Sequence, residues 1–385
     1  MKKTFSRFLL CLLSLCLCLA LVACNSPVAD PNDEITIDET EESTVTDAAA
    51  TDDEDTDEEA TKEDESDEDK EIQSIDIYLI AGQSNAAGYT LYARNTLANL
   101  WSRCQVGSPN VLYIGSADST ANVNTANVST IKNEVKHWTT AHAGQGKGES
   151  YIGTEVGMAK ILAEKYYKYD AATNEDKVAG IIKFAHGGTS LFNNTSGENA
   201  ADGNWVPPSY AQQKGWTYSG LTGGLYRKLL AQVESGIEKL ADLGYNDIHI
   251  KGLFWMQGEA DRGNPAEYEI ALNYFIDDIR RDLGEIVNED LSDMAIMIGE
   301  ISETAGSAEA ATVATNRTFI EMQRRVAAAR DNVYVIASGK YHVNWLENGV
   351  NKNAQDAWHW STSDIFHIGV EVGECILDHV LGVKE

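Results

Sequence analysis

The stretch Ile75-Asp76-Ile77-Tyr78-Leu79-Ile80-Ala81, followed by Gly82-Gln83-Ser84-Asn85-Ala86, decides how the rest of the chain is read. Its nearly unbroken apolar, β-branched character predicts a strand buried on both faces. A glycine-led polar turn then ends it and presents a hydroxyl at the strand's carboxyl end. Ligands of open α/β sheets bind at that edge, and a serine there is a candidate nucleophile if a base can reach it. Taken alone, Gly-Gln-Ser-Asn also fits a polar turn without chemistry.

Outward from this strand, strand-like and helical runs alternate. Val178–Ala185, Ile248–Met256, Met294–Ile298 and Val333–Ser338 read as strands, and 154–167, 225–243, 265–283, 312–329 and 361–381 as helices. The alternation predicts an α/β fold, a three-layer α/β/α sandwich with a central parallel sheet. Two irregular insertions interrupt the pattern, Asn95–Gly148 and the aromatic Phe192–Gly220 with Trp205, Tyr210, Trp216 and Tyr218. Loops of that length inside a domain are usually functional or mobile.

Composition divides the chain into three parts. Residues 1–23 carry Lys2, Lys3 and Arg7 ahead of an apolar run, the pattern of a secretory signal peptide. The run ends Leu21-Val22-Ala23-Cys24, which resembles a bacterial lipobox. That resemblance implies cleavage before Cys24, lipidation of Cys24 and an extracytoplasmic, membrane-anchored protein on the bacterial cell surface. Residues 24–71 follow as a tether. Ala29–Glu71 holds 22 of the 60 acidic residues against only Lys62 and Lys70, and it has no aromatic residue. Such a segment cannot bury enough apolar surface to offset its ordering entropy, so it is expected to be disordered and extended. Residues 72–385 form the third part, long enough for one large domain. No basic patch points to nucleic acid. After Cys24 only Cys104 and Cys375 remain, too few for a disulfide framework. The histidines show no metal-ligand spacing, and no cofactor is expected.

A serine esterase needs a base held by an acid and donors aimed at the developing oxyanion. The donors come from Gly-rich turns and an amide side chain. Gly153 precedes a helix start, where N–H groups are free. Gln257 follows Phe254-Trp255-Met256 and leaves its strand at the edge where Ser84 leaves its own. The base is sought in two late Asp-x-x-His runs, Asp356-Ala357-Trp358-His359 and Asp364-Ile365-Phe366-His367. Ser361 is a good N-cap with Asp364 as its capping partner, so His359 falls on a loop at a helix entrance. Asp364 and His367 fall inside the helix, which suits a helix-stabilising pair. Context therefore favours Asp356 and His359, with Asp364 and His367 as the alternative. Glu259 is a second candidate for orienting the histidine. Gln83, Asn85, Gly188, Glu259, Trp205 and Trp216 are the candidate substrate-binding residues, the two tryptophans as sugar-stacking surfaces.

The motifs Gly82-Gln83-Ser84-Asn85, Gly153-Thr154-Glu155, Gly187-Gly188-Thr189-Ser190, Trp255-Met256-Gln257-Gly258-Glu259-Ala260-Asp261 and the late Asp-x-x-His occur in this order. The set resembles the sialate O-acetylesterase-like branch of the SGNH hydrolases, which includes carbohydrate esterase family six, over roughly residues 75–382. The resemblance implies an SGNH, flavodoxin-like three-layer fold and metal-independent hydrolysis of O-acetyl esters on carbohydrates. It implies Ser84 as nucleophile, with Gly153, Gln257 and the Ser84 amide as the oxyanion hole. It keeps Glu259 as an alternative orienting group and favours His359, which Trp360-Ser361 follows. Thr154 departs from the pattern, standing where proline is common. A non-catalytic surface carbohydrate-binding protein and an esterase for longer acyl chains are the competing readings.

Overall fold

The computed structural model describes residues 73–91, 101–117, 137–148, 150–173, 175–192, 203–341, 346–347, 350–351 and 356–383. The expected signal peptide, Cys24 and the acidic tether lie outside the described residues.

The opening stretch forms strand β1 (Gln73–Gly82). The other strands of its sheet are β2 (Val111–Ala117), β3 (Thr139–Thr140), β4 (Ala179–Ala185), β5 (Tyr245–Met256), β6 (Ala295–Gly299) and β7 (Val333–Ile336). They assemble in the order β7-β6-β5-β1-β4-β2-β3. Every neighbouring pair is parallel except β2 with the two-residue edge strand β3. The sheet is therefore mixed, though mostly parallel.

Side-chain alternation along β1 explains the layers. Ile75, Ile77, Leu79 and Ala81 point into one core, with Leu229 and Val233 of α3 (Gly224–Ala241), Phe275 and Ile279 of α4 (Pro265–Val287) and Ile320 of α5 (Ala310–Ala328). Tyr78 and Ile80 point into the other, with Met158 and Leu162 of α2 (Glu155–Lys165) and Ile368 and Val372 of α6 (Thr362–His379). One short helix, α1 (Ser84–Ala87), follows β1 directly. The three-layer expectation holds, and each expected strand and helix appears with ends shifted by a few residues at most.

The reading of Asn95–Gly148 as wholly irregular is corrected. Val111–Ala117 is a full member of the sheet, parallel to β4, and Thr139–Thr140 closes the edge beside it. Val111-Leu112-Tyr113-Ile114 is a short apolar run among polar residues, and its pairing with Ala179–Ala185 makes it a strand. The aromatic insertion is also less loop-like than expected. Trp205 and Tyr210 are buried in the first core, and Pro208–Lys214 is a short helix. Among the described residues, no helix is long and apolar enough to cross a membrane.

Candidate active site

Gly82 pairs in register with Ala185 on one side and Met256 on the other, so β1, β4 and β5 end at one edge. His186 N–H donates to Gly82 O (2.9 Å), and Gln83 N–H donates to Met256 O (3.0 Å). Gly82 has φ +139, and a Cβ there would come within 2.1 Å of Met256 O. Only glycine fits, so the turn that delivers Ser84 is fixed by sterics. Ser84 is the first residue of α1 and is 8% exposed. Gly88 closes α1 in the left-handed conformation (φ +83), its N–H donating to Ser84 O (3.1 Å). A Cβ on Gly88 would stand 2.9 Å from the Cα atoms of both Gly146 and Gly153. Two further segments thus dock against the serine turn at backbone distance.

The run Asp356–His359 reaches this turn from the far end of the chain. Asn85 Nδ2, next to Ser84, donates to Trp358 O (3.2 Å), next to His359. Tyr89 N–H donates to Ser84 O (3.1 Å), and its ring stacks on the His359 ring at 5.3 Å between centroids. Thr90 Oγ1 donates to Trp360 O (3.0 Å). His359 Nδ1–H donates to Asp356 Oδ2 (2.6 Å), and the N–H groups of Trp358 and His359 donate to Asp356 Oδ1 (2.7 and 2.9 Å). Burial alone would raise the Asp356 carboxyl. The bond from His359, with those backbone donors, outweighs it and holds the group at about 2. Among the described residues, Ser84 Oγ and His359 Nε2 carry no hydrogen bond, leaving a free hydroxyl and a free ring nitrogen on segments bonded to each other. Catalytic hydrogen bonds often close only when substrate binds.

The alternative pair does not join them. Ser361 caps α6, its Oγ donating to Asp364 Oδ2 (2.7 Å) and accepting from Asp364 N–H (3.2 Å). His367 Nδ1 bonds to Ser363 O (2.7 Å) on the exposed face of the helix. Glu259 reaches the site differently. Its Oε1 accepts from Asn85 Nδ2 (2.7 Å), and its Oε2 is buried without a hydrogen-bond partner. Burial raises its carboxyl, against the bond from Asn85 and the nearby His359 and Arg262. The His359 ring is held by Asp356, and Glu259 anchors the turn behind it.

The other candidate residues are held by neighbours within the protein. Gln257 Nε2 donates to Asp261 Oδ2 (2.7 Å) and Thr189 O (2.8 Å), within the core of the turn. Both amide hydrogens are engaged in this way, and Gln257 holds its loop. Gly153 N–H donates to Glu155 Oε1 (3.2 Å) and is likewise committed. Gln83 is buried with Oε1 accepting from Gln257 Nε2 (3.3 Å), and Asn85 is buried with its Nδ2 hydrogens donated to Glu259 and Trp358. Trp205 is 0% exposed, its Nε1 donating to Thr189 Oγ1 (2.8 Å), and offers no stacking face. Trp216 is 42% exposed and packs edge-on against Tyr210. Gly188 is exposed in the loop after β4, whose Ser190 Oγ and Leu191 N–H bind Asp261 (2.5 and 2.8 Å).

Sequence reasoning missed Tyr89 and Trp358. Trp358 is 38% exposed beside His359, with the Arg262 guanidinium 4.7 Å from its ring. Its place inside the Asp-x-x-His run was an available signal; Tyr89 had none, because its partner stands 270 residues away. The free hydroxyl and the carboxylate-held imidazole are the parts required for acyl transfer through a serine. Among the described residues no group of side chains is arranged to hold a metal ion.

Comparison with known proteins gives the family. The chain is similar to a solved protein from Arabidopsis thaliana at 17% identity, covering 79% of this chain and 98% of that one, with a TM-score of 0.45. It is also similar to a carbohydrate acetylesterase from Xanthomonas citri (15% identity, 80% and 56% covered, TM-score 0.48) and to NanS (15%, 79% and 97%, TM-score 0.46). At those values the likenesses add nothing to the fold read from the strand order. No curated protein matches the chain. The model of one family, described as carbohydrate esterase, sialic acid-specific acetylesterase, matches residues 74–377, which contain Ser84, the Gln257–Asp261 turn, Asp356–His359 and all of β1 except Gln73. The chain belongs to the sialic acid-specific acetylesterase family of carbohydrate esterases.

Proposed function

We propose that this chain is a carbohydrate O-acetylesterase working through a serine acyl-enzyme. His359 Nε2 takes the proton of Ser84 Oγ as the oxygen attacks the acetyl carbonyl. Collapse of the tetrahedral intermediate breaks the ester C–O bond, and the proton on His359 passes to the departing sugar hydroxyl. Water, deprotonated by the same nitrogen, then attacks acetyl-Ser84; the acyl C–Oγ bond breaks, the proton returns from His359 to Ser84 Oγ, and acetate leaves. Asp356 keeps Nδ1 protonated and stabilises the imidazolium formed in each step. The Ser84 N–H, in the first turn of α1, needs no helical partner and is the donor assigned to the developing oxyanion. The observation that carries this reading is the Asp356–His359 pair on a loop bonded to the residue beside Ser84. The substrate is an acetylated polysaccharide or a sialic-acid-type sugar, as the family description suggests.

The test is acetate release from acetylated xylan and from O-acetylated sialosides. Wild type should release acetate, and Ser84→Ala should lose activity by a factor on the order of 10⁵–10⁶. Equal rates in the two proteins would end this reading. Saccharide binding without turnover would favour the non-catalytic alternative, and a series of synthetic esters of rising acyl length would identify a longer-chain esterase.

Anchoring through Cys24 at the cell surface belongs to the same proposal and rests on the sequence before and after that residue. Cys24→Ala should move the protein from the membrane fraction to the soluble one. Unchanged membrane association would exclude a lipid anchor at this position.

A further inference from the structure

Beneath the serine turn lies an ion pair that the proposed chemistry does not use. Lys183 is at the centre of β4 and Glu155 opens α2; neither side chain has any exposed surface. Lys183 Nζ stands 3.0 Å from Glu155 Oε2 and donates to Gln145 O (3.0 Å) and Ala87 O (3.4 Å). Two of the three ammonium hydrogens are directed at backbone carbonyls; Glu155 Oε2 lies at ion-pair distance and, among the described residues, has no hydrogen-bond partner of its own. Glu155 Oε1 accepts from Gly153 N–H (3.2 Å).

Such a pair is costly. Taking both charges out of water carries a penalty that their attraction often fails to recover, and apolar residues of similar volume would pack as well or better. Burial accordingly pulls the Lys183 ammonium downward, against the opposing charge of Glu155. What apolar residues could not do is bond to three buried backbone groups from three separate segments, although Gln145 O also accepts from Tyr113 Oη (3.3 Å). Ala87 O belongs to the helix that begins at Ser84. Gln145 O belongs to the loop that carries Gly146. Gly153 N–H belongs to the segment entering α2. Gly146 and Gly153 are the two residues against which Gly88 is packed, and Gly88 closes the Ser84 turn.

We propose that Lys183 and Glu155 are a positioning pair, which ties these three backbone segments together and so fixes the place of Ser84 relative to His359. Neither residue touches substrate. The inference rests on the serine-esterase reading for its kinetic consequence but not for its structural one. Displacing a nucleophile by about 1 Å costs on the order of a hundredfold in rate.

The test compares Lys183→Met/Glu155→Leu with Lys183→Met/Glu155→Gln in the full chain. Both remove the charges, but only glutamine keeps an acceptor for Gly153 N–H. With 4-nitrophenyl acetate, the leucine variant should lose kcat by about a hundredfold with KM changed less than about threefold. The glutamine variant should recover about tenfold of that loss. Thermal midpoints should fall in both, because Ala87 O loses its ammonium donor, and further in the leucine variant, which also strands Gly153 N–H. Unchanged kcat in the folded leucine variant, or no recovery with glutamine, overturns the proposal. If the double variants fail to fold, Glu155→Gln and Glu155→Leu alone decide it: the first should stay within about fivefold of wild type and the second should not. Amide hydrogen exchange supplies a readout independent of turnover. Segments 83–91 and 144–154 should exchange at least about tenfold faster in the leucine variant, with the α4 and α5 segments unchanged. Unaltered exchange there overturns the positioning role even if the protein hydrolyses no ester, whereas an inactive wild type with the expected exchange pattern would refute only the proposed function.

Discussion

Asp356 and Asp261 both stand on loops at the carboxyl edge of the sheet, and each accepts three hydrogen bonds. They are driven in opposite directions. Asp356 is held at about 2, its burial outweighed by His359 and two backbone donors. Asp261 is raised to about 6, because burial outweighs the bonds from Ser190, Leu191 and Gln257. The number of bonds is the same; the partner's charge and access to water are not. Asp356 keeps 37% of its side chain exposed and faces an imidazole that can become a cation. Asp261 is enclosed among neutral donors. One carboxylate is suited to answering a charge that appears during reaction, the other to stapling two loops.

The largest effect expected from breaking this contrast is at Asp356. Asp356→Asn keeps the shape but loses the charge and disturbs the tautomer of His359, and kcat should fall on the order of 10³–10⁴-fold with the fold intact. If Glu259 orients the histidine instead, Glu259→Gln would show that loss and Asp356→Asn would not. Our expectation for Glu259→Gln is a kcat within about fivefold of wild type, because an amide can still accept from Asn85.

Asp261 gives the next effect, read in stability rather than turnover. Its folded pKa of about 6 exceeds the usual carboxyl value of 3.8. The folded state therefore binds the proton more tightly, and wild-type stability should fall as pH rises from about 4 to 6, by on the order of 2 kcal/mol. Asp261→Asn lacks this titration. Denaturant unfolding should show the gap between wild type and variant, whatever its absolute size, narrowing by about that amount between pH 4 and pH 6.5. Asp356 carries the opposite sign. Its contribution is complete above 3.8 and is lost as pH falls toward 2, and its partial exposure makes that contribution smaller. The smallest effect is reserved for the excluded pair: His367→Gln should leave kcat within about twofold of wild type, and a loss resembling that of a His359 variant would reverse the assignment.

Much of this site could be read from short-range sequence. The strand ahead of Gly82, the Ser361 cap with Asp364 and the three-residue spacing of Asp356 and His359 each involve neighbours in the chain, where local geometry dictates the contact. Which group pairs with which was less legible, for near neighbours as well as for distant ones. Gln257 and Gly153 carry the right groups in the right places, but Asp261, Thr189 and Glu155 had already claimed their hydrogens. Trp205 looked like a sugar platform because nothing local reveals that Phe184 and Trp255 enclose it. Val111–Ala117 was missed as a strand for the same reason: pairing with a strand about 70 residues later defines it.

The outermost rows of the sheet also carry a consequence. The central strands are long and apolar on both faces, the composition most prone to recruit other chains if left unpaired. At one margin the sheet ends in Thr139–Thr140, which runs against its neighbour and spans two residues; at the other it ends in the four-residue Val333–Ile336. Neither offers a template of useful length for intermolecular strand addition. Lengthening the threonine margin with β-branched residues should therefore promote self-association at high concentration while the rim that carries Ser84 stays untouched.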